Sequence, residues 1–184
     1  MMMGAAQASV VTEEGDAGGT ALGAQDALGA TTILGALQDD GTGTADVDFY
    51  RVFVSDVGAF AVDVTADLSE DNDTYLFLFD ADLNLVLEDD DGGDLTDGED
   101  DDLLSRFAAG ELAEAGGTTG FYFLVVTIFD AVASDGGLVT VDPDPLQFGD
   151  YALALDGVSE VPLPGAALFA LTGLAGAGLV RRRG

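Results

Sequence analysis

The sequence predicts an all-β protein: an antiparallel β-sandwich of about seven or eight strands, followed by a short hydrophobic C-terminal helix. Three observations lead to this prediction. Short apolar or alternating runs recur between residues 32 and 157, Gly, Asp and Asn separate these runs, and no long helical period interrupts them. Because 48% of the 184 residues are hydrophobic, an apolar core can form.

The strand signals follow one another along the chain. Residues 59–65 alternate, with Phe60, Val62 and Val64 on one face, as in a half-buried strand. Residues 74–79 and 121–129 are apolar on both faces, which is typical of central strands. The predicted strands are 32–37, 48–54, 59–65, 74–79, 85–87, 103–107, 121–129 and 151–155.

Turn signals and charge separate these strands. The clusters at 39–43, 71–73, 80–84 and 134–137 are rich in Gly, Asp and Asn, which are turn formers. The run 88–102 is mostly acidic and too highly charged to bury, so we predict a surface loop there.

Composition divides the chain into five parts. We interpret residues 1–8 as the remnant of a signal peptide, because Ala6-Gln7-Ala8 fits the small-x-small cleavage pattern; the alternative is an ordinary chain terminus. Residues 9–31 are an acidic, Gly-rich, extended lead-in. The sandwich is expected at 32–157, a linker with a Pro motif at 158–164, and a hydrophobic helix with an Arg cluster at 165–184.

Charge and missing residue types exclude several classes of function. The chain has 35 acidic and 5 basic residues and a formal net charge of −30. Such a surface repels nucleic acid, which requires a basic footprint. His, Cys, Lys and Trp are absent, so thiol chemistry, zinc–thiolate sites and the usual general bases are not available. We therefore predict that the protein is not an enzyme, and a carboxylate-pair glycosidase is the enzyme class weighed against that prediction.

The composition changes abruptly after Glu160. Pro162 and Pro164 make a stiff hinge, because Pro fixes its own φ and restricts the preceding residue. Residues 165–180 carry no charge and are followed by an Arg cluster. A helix of this length spans about 24 Å, somewhat less than the hydrocarbon core of a bilayer. We interpret it as a membrane segment with the Arg cluster on the cytoplasmic side; the alternative is a buried C-terminal helix.

This tail resembles a known sorting signal, the VPLPA-type variant of the PEP-CTERM signals. The matching residues are Val161, Pro162, Leu163, Pro164, Gly165 and Ala166 in the motif, and Arg181, Arg182 and Arg183 in the terminal cluster. Gly165 departs from the pattern by standing between Pro164 and Ala166. The resemblance implies secretion, a transient hold in the inner membrane, and processing near the Pro motif by an exosortase-type transpeptidase. It also implies a final location at the cell surface or outside the cell.

The body of the chain resembles a second family, the bacterial pre-peptidase C-terminal (PPC) domain. The resemblance departs from the family pattern at Leu83, where Gly is usual, and in the acidic insertion at 92–102. It implies a non-catalytic, jelly-roll-like sandwich, and some such domains bind calcium. The segments that carry it are 46–52, 73–82, 88–91, 120–126 and 149–153.

Clustered carboxylates point to calcium as a candidate cofactor. Calcium takes six to eight oxygen ligands, and packing carboxylates together without a cation is unfavourable. Asp80, Asp82 and Asn84 mimic the start of an EF-hand loop, but Leu85 stands where that loop needs Gly. The alternative is that these acids are simply solvated. The predicted ligands are Asp46, Asp48, Asp89, Asp90, Asp91, Asp97 and Asp101.

These observations predict a non-catalytic, exported cell-surface or extracellular-matrix protein with an acidic sandwich for interaction or adhesion. Extracellular polysaccharide is a candidate partner, besides the transpeptidase and the inner membrane. The alternative function is a calcium-dependent carbohydrate-binding module or an accessory domain of a secreted hydrolase system. A cytoplasmic structural protein would instead require the C-terminal tail to be part of the core.

Overall fold

The computed structural model describes residues 9–38, 46–67, 73–91, 104–129, 131–141 and 149–161. It confirms the predicted β-sandwich. Within these ranges the chain forms twelve strands and one four-residue helix, α1 (Glu111–Glu114). The strands are β1 Val10–Thr12, β2 Gln25–Asp26, β3 Thr32–Leu37, β4 Val47–Val54, β5 Ala61–Asp67, β6 Thr74–Asp80, β7 Leu85–Asp89, β8 Arg106–Phe107, β9 Gly120–Ile128, β10 Ala131–Ser134, β11 Leu138–Val141 and β12 Gly149–Asp156.

Two five-stranded sheets face each other. Sheet A has the order β1-β3-β12-β5-β8, and sheet B has the order β2-β4-β9-β6-β7. Strands β10 and β11 form a separate hairpin. Most pairs are antiparallel, but the short edge strands β1 and β2 run parallel to β3 and β4. The last strand, β12, lies in the middle of sheet A between β3 and β5.

Alternation along the strands builds the core between the sheets. Successive side chains of a strand point to opposite faces, so Tyr50, Val52 and Val54 of β4 share the inner face of sheet B. Leu153 and Leu155 of β12 pack against them from sheet A. All five side chains are at most 3% exposed.

A second apolar cluster covers part of the outer face of sheet B. Phe49, Phe77, Phe79 and Val125 are fully buried there, under the β10–β11 hairpin. This covering layer explains why residues 74–79 are apolar on both faces, as the sequence indicated. The hairpin turns at the Gly-rich sequence 134–137, which was predicted to be a turn.

Residues 9–31, expected to be a lead-in, contribute to the sandwich. They contain β1 and β2, and Ala17, Ala27 and Ala30 are buried in the main core. The segment makes a tight turn in which Gly18 has φ +77°, and a Cβ there would lie 2.6 Å from the carbonyl oxygen of Gly23. Small side chains and positive φ allow close packing without an apolar period, so the pattern carried no strand signal.

Other elements differ in extent from the prediction. The strand expected at 103–107 is reduced to Arg106–Phe107, and α1 was not predicted. In the turn after β6, Leu83 has φ +64°, a left-handed conformation that favours Gly. Among the described residues no helix has the length and hydropathy of a membrane span. The proposed signal remnant at 1–8 and the hydrophobic helix at 165–184 lie outside the described residues.

Candidate metal centre

Asp48 is a carboxylate buried inside the sandwich. It lies on the inner face of β4, two residues before Tyr50 on the same face, and is 0% exposed. Its Oδ2 accepts a 2.7 Å hydrogen bond from the hydroxyl of Tyr151 on sheet A. The Tyr50 and Tyr151 hydroxyls are 2.7 Å apart, which extends the chain of hydrogen bonds. Within the described part of the chain, Oδ1 of Asp48 has no hydrogen-bond partner.

Gly35 of β3 makes room for these hydroxyls. It faces inward between Ile33 and Leu37, and a Cβ at this position would clash with the Tyr151 hydroxyl. The same Cβ would lie 2.8 Å from the Tyr50 hydroxyl oxygen. A side chain at position 35 would therefore displace the polar groups that hold Asp48.

Glu13 and Asp16 reach Asp48 from the N-terminal segment. The Glu13 backbone N–H donates a 2.8 Å hydrogen bond to the Leu34 carbonyl, which fixes the segment beside β3. One carboxylate oxygen from each of Glu13, Asp16 and Asp48 lies within 4.8 Å of the other two. The three acids therefore form a cluster, which we call the acid cluster.

Backbone amides orient the two N-terminal acids. Glu13 accepts hydrogen bonds through Oε1 from Ala17 N–H at 3.1 Å and through Oε2 from Ala36 N–H at 2.8 Å. Asp16 Oδ1 accepts a 2.8 Å hydrogen bond from Gly18 N–H. These bonds hold the carboxylates in place next to a third one, against their mutual repulsion.

Burial and like charge make the acid cluster unstable as three bare carboxylates. Burial, the largest cause, and the charges of Asp46, Glu13 and Asp16 together raise the pKa of Asp48 to about 8, although the Tyr151 hydrogen bond lowers it. Burial also raises the pKa of Glu13, against its backbone hydrogen bonds. Near neutral pH the cluster therefore keeps a proton on Asp48 or binds a cation.

The geometry fits a calcium ion. Calcium–oxygen distances of about 2.3–2.6 Å place ligand oxygens on opposite sides of the ion up to about 5 Å apart, and the acid cluster spans no more than 4.8 Å. A groove of about 440 Å³ reaches the acid cluster at Glu13 and is also lined by Gly15, Gln38 and Tyr151; water in it could supply further oxygen ligands. A cation bound to Asp48 would compensate the buried carboxylate, whose Oδ1 has no hydrogen-bond partner among the described residues.

Of the predicted ligands, Asp48 lies in the cluster and Asp46 lies beside it. The Asp46 carboxylate accepts hydrogen bonds from Gln38 N–H at 2.7 Å and from Val47 N–H at 2.9 Å. It is close enough to raise the pKa of Asp48 by its charge. Asp46 is therefore a neighbour of the acid cluster, and its charge makes the electrostatic potential there more negative.

Asp89, Asp90 and Asp91 lie elsewhere. Asp48 pairs with Val126, Val126 with Leu76, and Leu76 with Asp89, so Asp48 and Asp89 share a row across sheet B. Three strand spacings separate them by about 14 Å, and one calcium ion does not reach both. Asp89 Oδ1 instead accepts a 3.0 Å hydrogen bond from Arg106 N–H. Asp97 and Asp101 lie outside the described residues.

The sequence did not single out Glu13 and Asp16. The available signal was Glu13-Glu14-Gly15-Asp16, in which acids surround a turn-forming Gly. Sequence proximity could not reveal that this segment returns to β3 and β4.

The EF-hand-like segment forms a closed turn. Asp80 Oδ1 accepts hydrogen bonds from the Asp82 and Asn84 N–H groups, both at 2.9 Å, and Oδ2 accepts one from Asn84 Nδ2 at 2.8 Å. The Asp80 carboxylate therefore stabilises this turn by accepting its hydrogen bonds. This agrees with the interpretation that the segment is not an EF-hand.

The predicted sorting motif begins where the described chain ends. Ser159 N–H donates a 3.0 Å hydrogen bond to the Phe53 carbonyl, and Val161 is 38% exposed. Pro162, Leu163, Pro164, Gly165, Ala166 and the Arg cluster at 181–183 lie outside the described residues.

Comparison with protein-family models and with curated proteins finds no match to this chain.

Proposed function

We propose that this protein is a non-catalytic, exported cell-surface or extracellular-matrix protein, with an interaction domain that one calcium ion completes. The observation that carries the proposal is the fully buried Asp48, whose Oδ1 lacks a partner among the described residues and which meets Glu13 and Asp16. An unpaired buried carboxylate costs several kcal/mol, and a bound cation removes that cost.

Calcium at this place would have a structural role. The acid cluster joins the N-terminal segment, which carries Glu13 and Asp16, to β4, which carries Asp48. An ion bound there cross-links two parts of the fold that are far apart in the chain. Extracellular calcium modules bind with dissociation constants of about 10⁻⁴–10⁻³ M, and a site of this kind supports a role outside the cell.

The C-terminal pattern supports export. The Pro motif beginning at Val161, the uncharged residues 165–180 and the terminal Arg cluster together resemble a PEP-CTERM signal. In this proposal the tail holds the protein in the inner membrane until an exosortase-type transpeptidase processes it. The acidic sandwich then faces the outside, because the Arg cluster stays on the cytoplasmic side.

A non-catalytic role agrees with the way the carboxylates are used. Glu13, Asp46 and Asp80 each accept two or more hydrogen bonds from nearby N–H groups of the fold. Their carboxylates support backbone turns and strand ends. General acid–base catalysis would need a carboxyl group free to meet a substrate.

Calcium titration tests the metal part of the proposal. The full chain, freed of metal with a chelator, is melted with and without calcium. Saturation at one hundred times the dissociation constant adds about 2.7 kcal/mol, which corresponds to a rise in Tm of roughly 5–10 °C for a domain of this size. Asp48→Asn should abolish the rise, and the exposed control Asp156→Asn should keep it. An equal rise in Asp48→Asn would exclude this site.

Fractionation tests the export part. Cells of a bacterium that has an exosortase-type system express the full chain or a chain lacking residues 162–184. We expect the full chain in the membrane and then at the surface, and the shortened chain in neither place. Equal surface display of both chains would remove the sorting role of the tail.

A further inference from the structure

The β10–β11 hairpin covers only part of the outer face of sheet B and leaves an aromatic pair open. Phe53 of β4 and Phe121 of β9 are direct partners across the sheet. Their ring centroids are 5.2 Å apart at an angle of 74°, and Phe121 is 38% exposed. Because both rings stand on paired strands, the surface is rigid before any partner arrives.

A fixed ion pair lies next to these rings. Arg51 Nε and Nη2 donate hydrogen bonds of 2.7 and 2.9 Å to the two carboxylate oxygens of Asp26. The Arg51 guanidinium carbon also lies 5.6 Å from the centre of the Phe121 ring. The Arg51 and Asp26 side chains are 43% and 57% exposed, so the pair is accessible to solvent.

A groove of about 390 Å³ runs beside the ion pair. Its apolar lining consists of Phe123, Ala21, Ala24 and the fully exposed Leu22. Asp26 and Arg51 supply its polar wall. Apolar rings thus alternate with a donor–acceptor pair along one surface, the mixture that small-molecule sites use for binding and orientation.

We infer that this surface binds a neutral saccharide. The C–H faces of a pyranose ring stack on Phe121 and Phe123, which gain by burying apolar area. Neighbouring hydroxyls of the sugar need one donor and one acceptor at fixed spacing. Arg51 supplies the donor through the N–H groups that Asp26 leaves free, and Asp26 supplies the acceptor through its second lone pairs.

The charge of the protein favours a neutral saccharide over the other ligand classes that bind aromatic surfaces. A net charge of −30 repels polyanions. Exposed acids at the same end of the sheet, Asp56 and Glu160, oppose contact with an anionic lipid surface. The Arg51–Asp26 pair is itself neutral as a unit, so it suits an uncharged, hydroxyl-rich ligand.

This inference names the ligand class of the proposed interaction domain and rests on that function. The two are separable, since calcium acts at the inner face of sheet B and the saccharide at its outer face. The calcium-dependent Tm reports on the first, and saccharide titration of the calcium-loaded chain reports on the second.

The test is titration of the full chain, followed by backbone amide NMR, with neutral hexasaccharides of glucose, mannose and N-acetylglucosamine. We expect at least one of them to shift the amides of Arg51 and Phe121. Phe121→Ala should weaken binding tenfold or more, Phe121→Trp should keep or strengthen it, and the hairpin control Val132→Ala should leave it unchanged.

Oligogalacturonate and phosphatidylcholine vesicles are the competing probes. Failure of every neutral hexasaccharide to bind at about 10 mM, a concentration that detects interactions of only a few kcal/mol, would overturn the inference. Saccharide binding that Phe121→Ala leaves intact would overturn it too. Vesicle binding that Phe121→Ala abolishes, without saccharide binding, would reassign the surface to lipid.

Discussion

The hydroxyl of Tyr151 donates a 2.7 Å hydrogen bond to Oδ2 of Asp48, and this bond crosses from one sheet of the sandwich to the other. Both residues are buried, and the Tyr50 hydroxyl lies 2.7 Å from that of Tyr151. The inner end of the acid cluster is therefore held by two hydroxyls in series. A buried polar chain rigidifies a core when every member is satisfied, and here Oδ1 of Asp48 is the member that lacks a partner among the described residues.

Removing the Tyr151 hydroxyl should destabilise the protein. Tyr151→Phe takes a partner from both Asp48 and Tyr50, and leaving such groups unsatisfied costs about 1–3 kcal/mol. Tyr50→Phe removes only the hydroxyl that does not contact Asp48 directly, so it should lower the free energy of unfolding by less. Urea unfolding of the calcium-free protein measures both. Equal stability of Tyr151→Phe and the unmodified chain would contradict the role of this bond.

The free energy of unfolding of the calcium-free protein should depend on pH through the ionisation of Asp48. Burial raises its pKa in the folded state from 3.8 to about 8. Between these values the unfolded chain has lost the proton that the folded chain keeps, so the free energy of unfolding falls as pH rises through this window and is level above it. The slope is at most about 1.4 kcal/mol per pH unit.

Asp48→Asn isolates this effect from the many other acids. The variant lacks the titrating group, so the stability difference between the unmodified chain and the variant should shrink or reverse as pH rises from about 4 to about 8. Chemical unfolding at several pH values measures the difference. A difference independent of pH would mean that Asp48 ionises normally in the folded state.

Gly35 should not tolerate a side chain. A Cβ there would clash with the Tyr151 hydroxyl and lie 2.8 Å from that of Tyr50, and overpacking of this kind costs about 1–3 kcal/mol. Gly120, at the start of β9, is a matched control because a Cβ would meet nothing within 4 Å. We expect Gly35→Ala to lower Tm and to weaken the calcium response, and Gly120→Ala to do neither.

Asp80 should stabilise its turn through its ionised carboxylate. Although partial burial raises its pKa, the hydrogen bonds from Asn84 and Asp82 outweigh this and lower it. The stabilisation is therefore present above the ordinary pKa of 3.8 and is lost as pH falls through the lower, folded-state value. Asp80→Ala should cost about 1 kcal/mol at neutral pH, and Asp82→Ala less. If Asp80→Ala lowers stability by the same amount at acid pH, the side chain acts through packing and not through its charge.

The sequence predicted those parts of the fold in which side-chain alternation decides burial. Residues 121–129, apolar on both faces, correspond to β9 (Gly120–Ile128), which has β4 on one side and β6 on the other. Edge strands β1 and β2 were not recognisable, because three-residue and two-residue strands are too short to show a period. Their positions in the sheets depend on pairing with β3 and β4, and this pairing produces no pattern in the local sequence.

The candidate site was predictable only in part, for a similar reason. Asp48, the first residue of the predicted strand 48–54, was among the predicted calcium ligands as a possible partner of the acidic runs. Its neighbours Glu13 and Asp16 come from about thirty residues earlier in the chain. Asp89 to Asp91 offered a denser run of acids, but the ladder across sheet B places Asp89 three strand spacings away from β4. Local acid density was a poor guide because the topology decides which carboxylates meet.

The contact between Ser159 and Phe53 has a mechanical consequence. A pull applied at Val161 first meets the hydrogen bonds that hold residues 157–159 to the end of β4, where the Gly157 carbonyl accepts from Ser55 N–H at 2.9 Å and Ser159 N–H donates to Phe53. Beyond them lies β12, which is paired on both sides. Force along this strand loads two ladders in shear together, so the fold should resist a pull at this end better than a pull that unzips an edge strand.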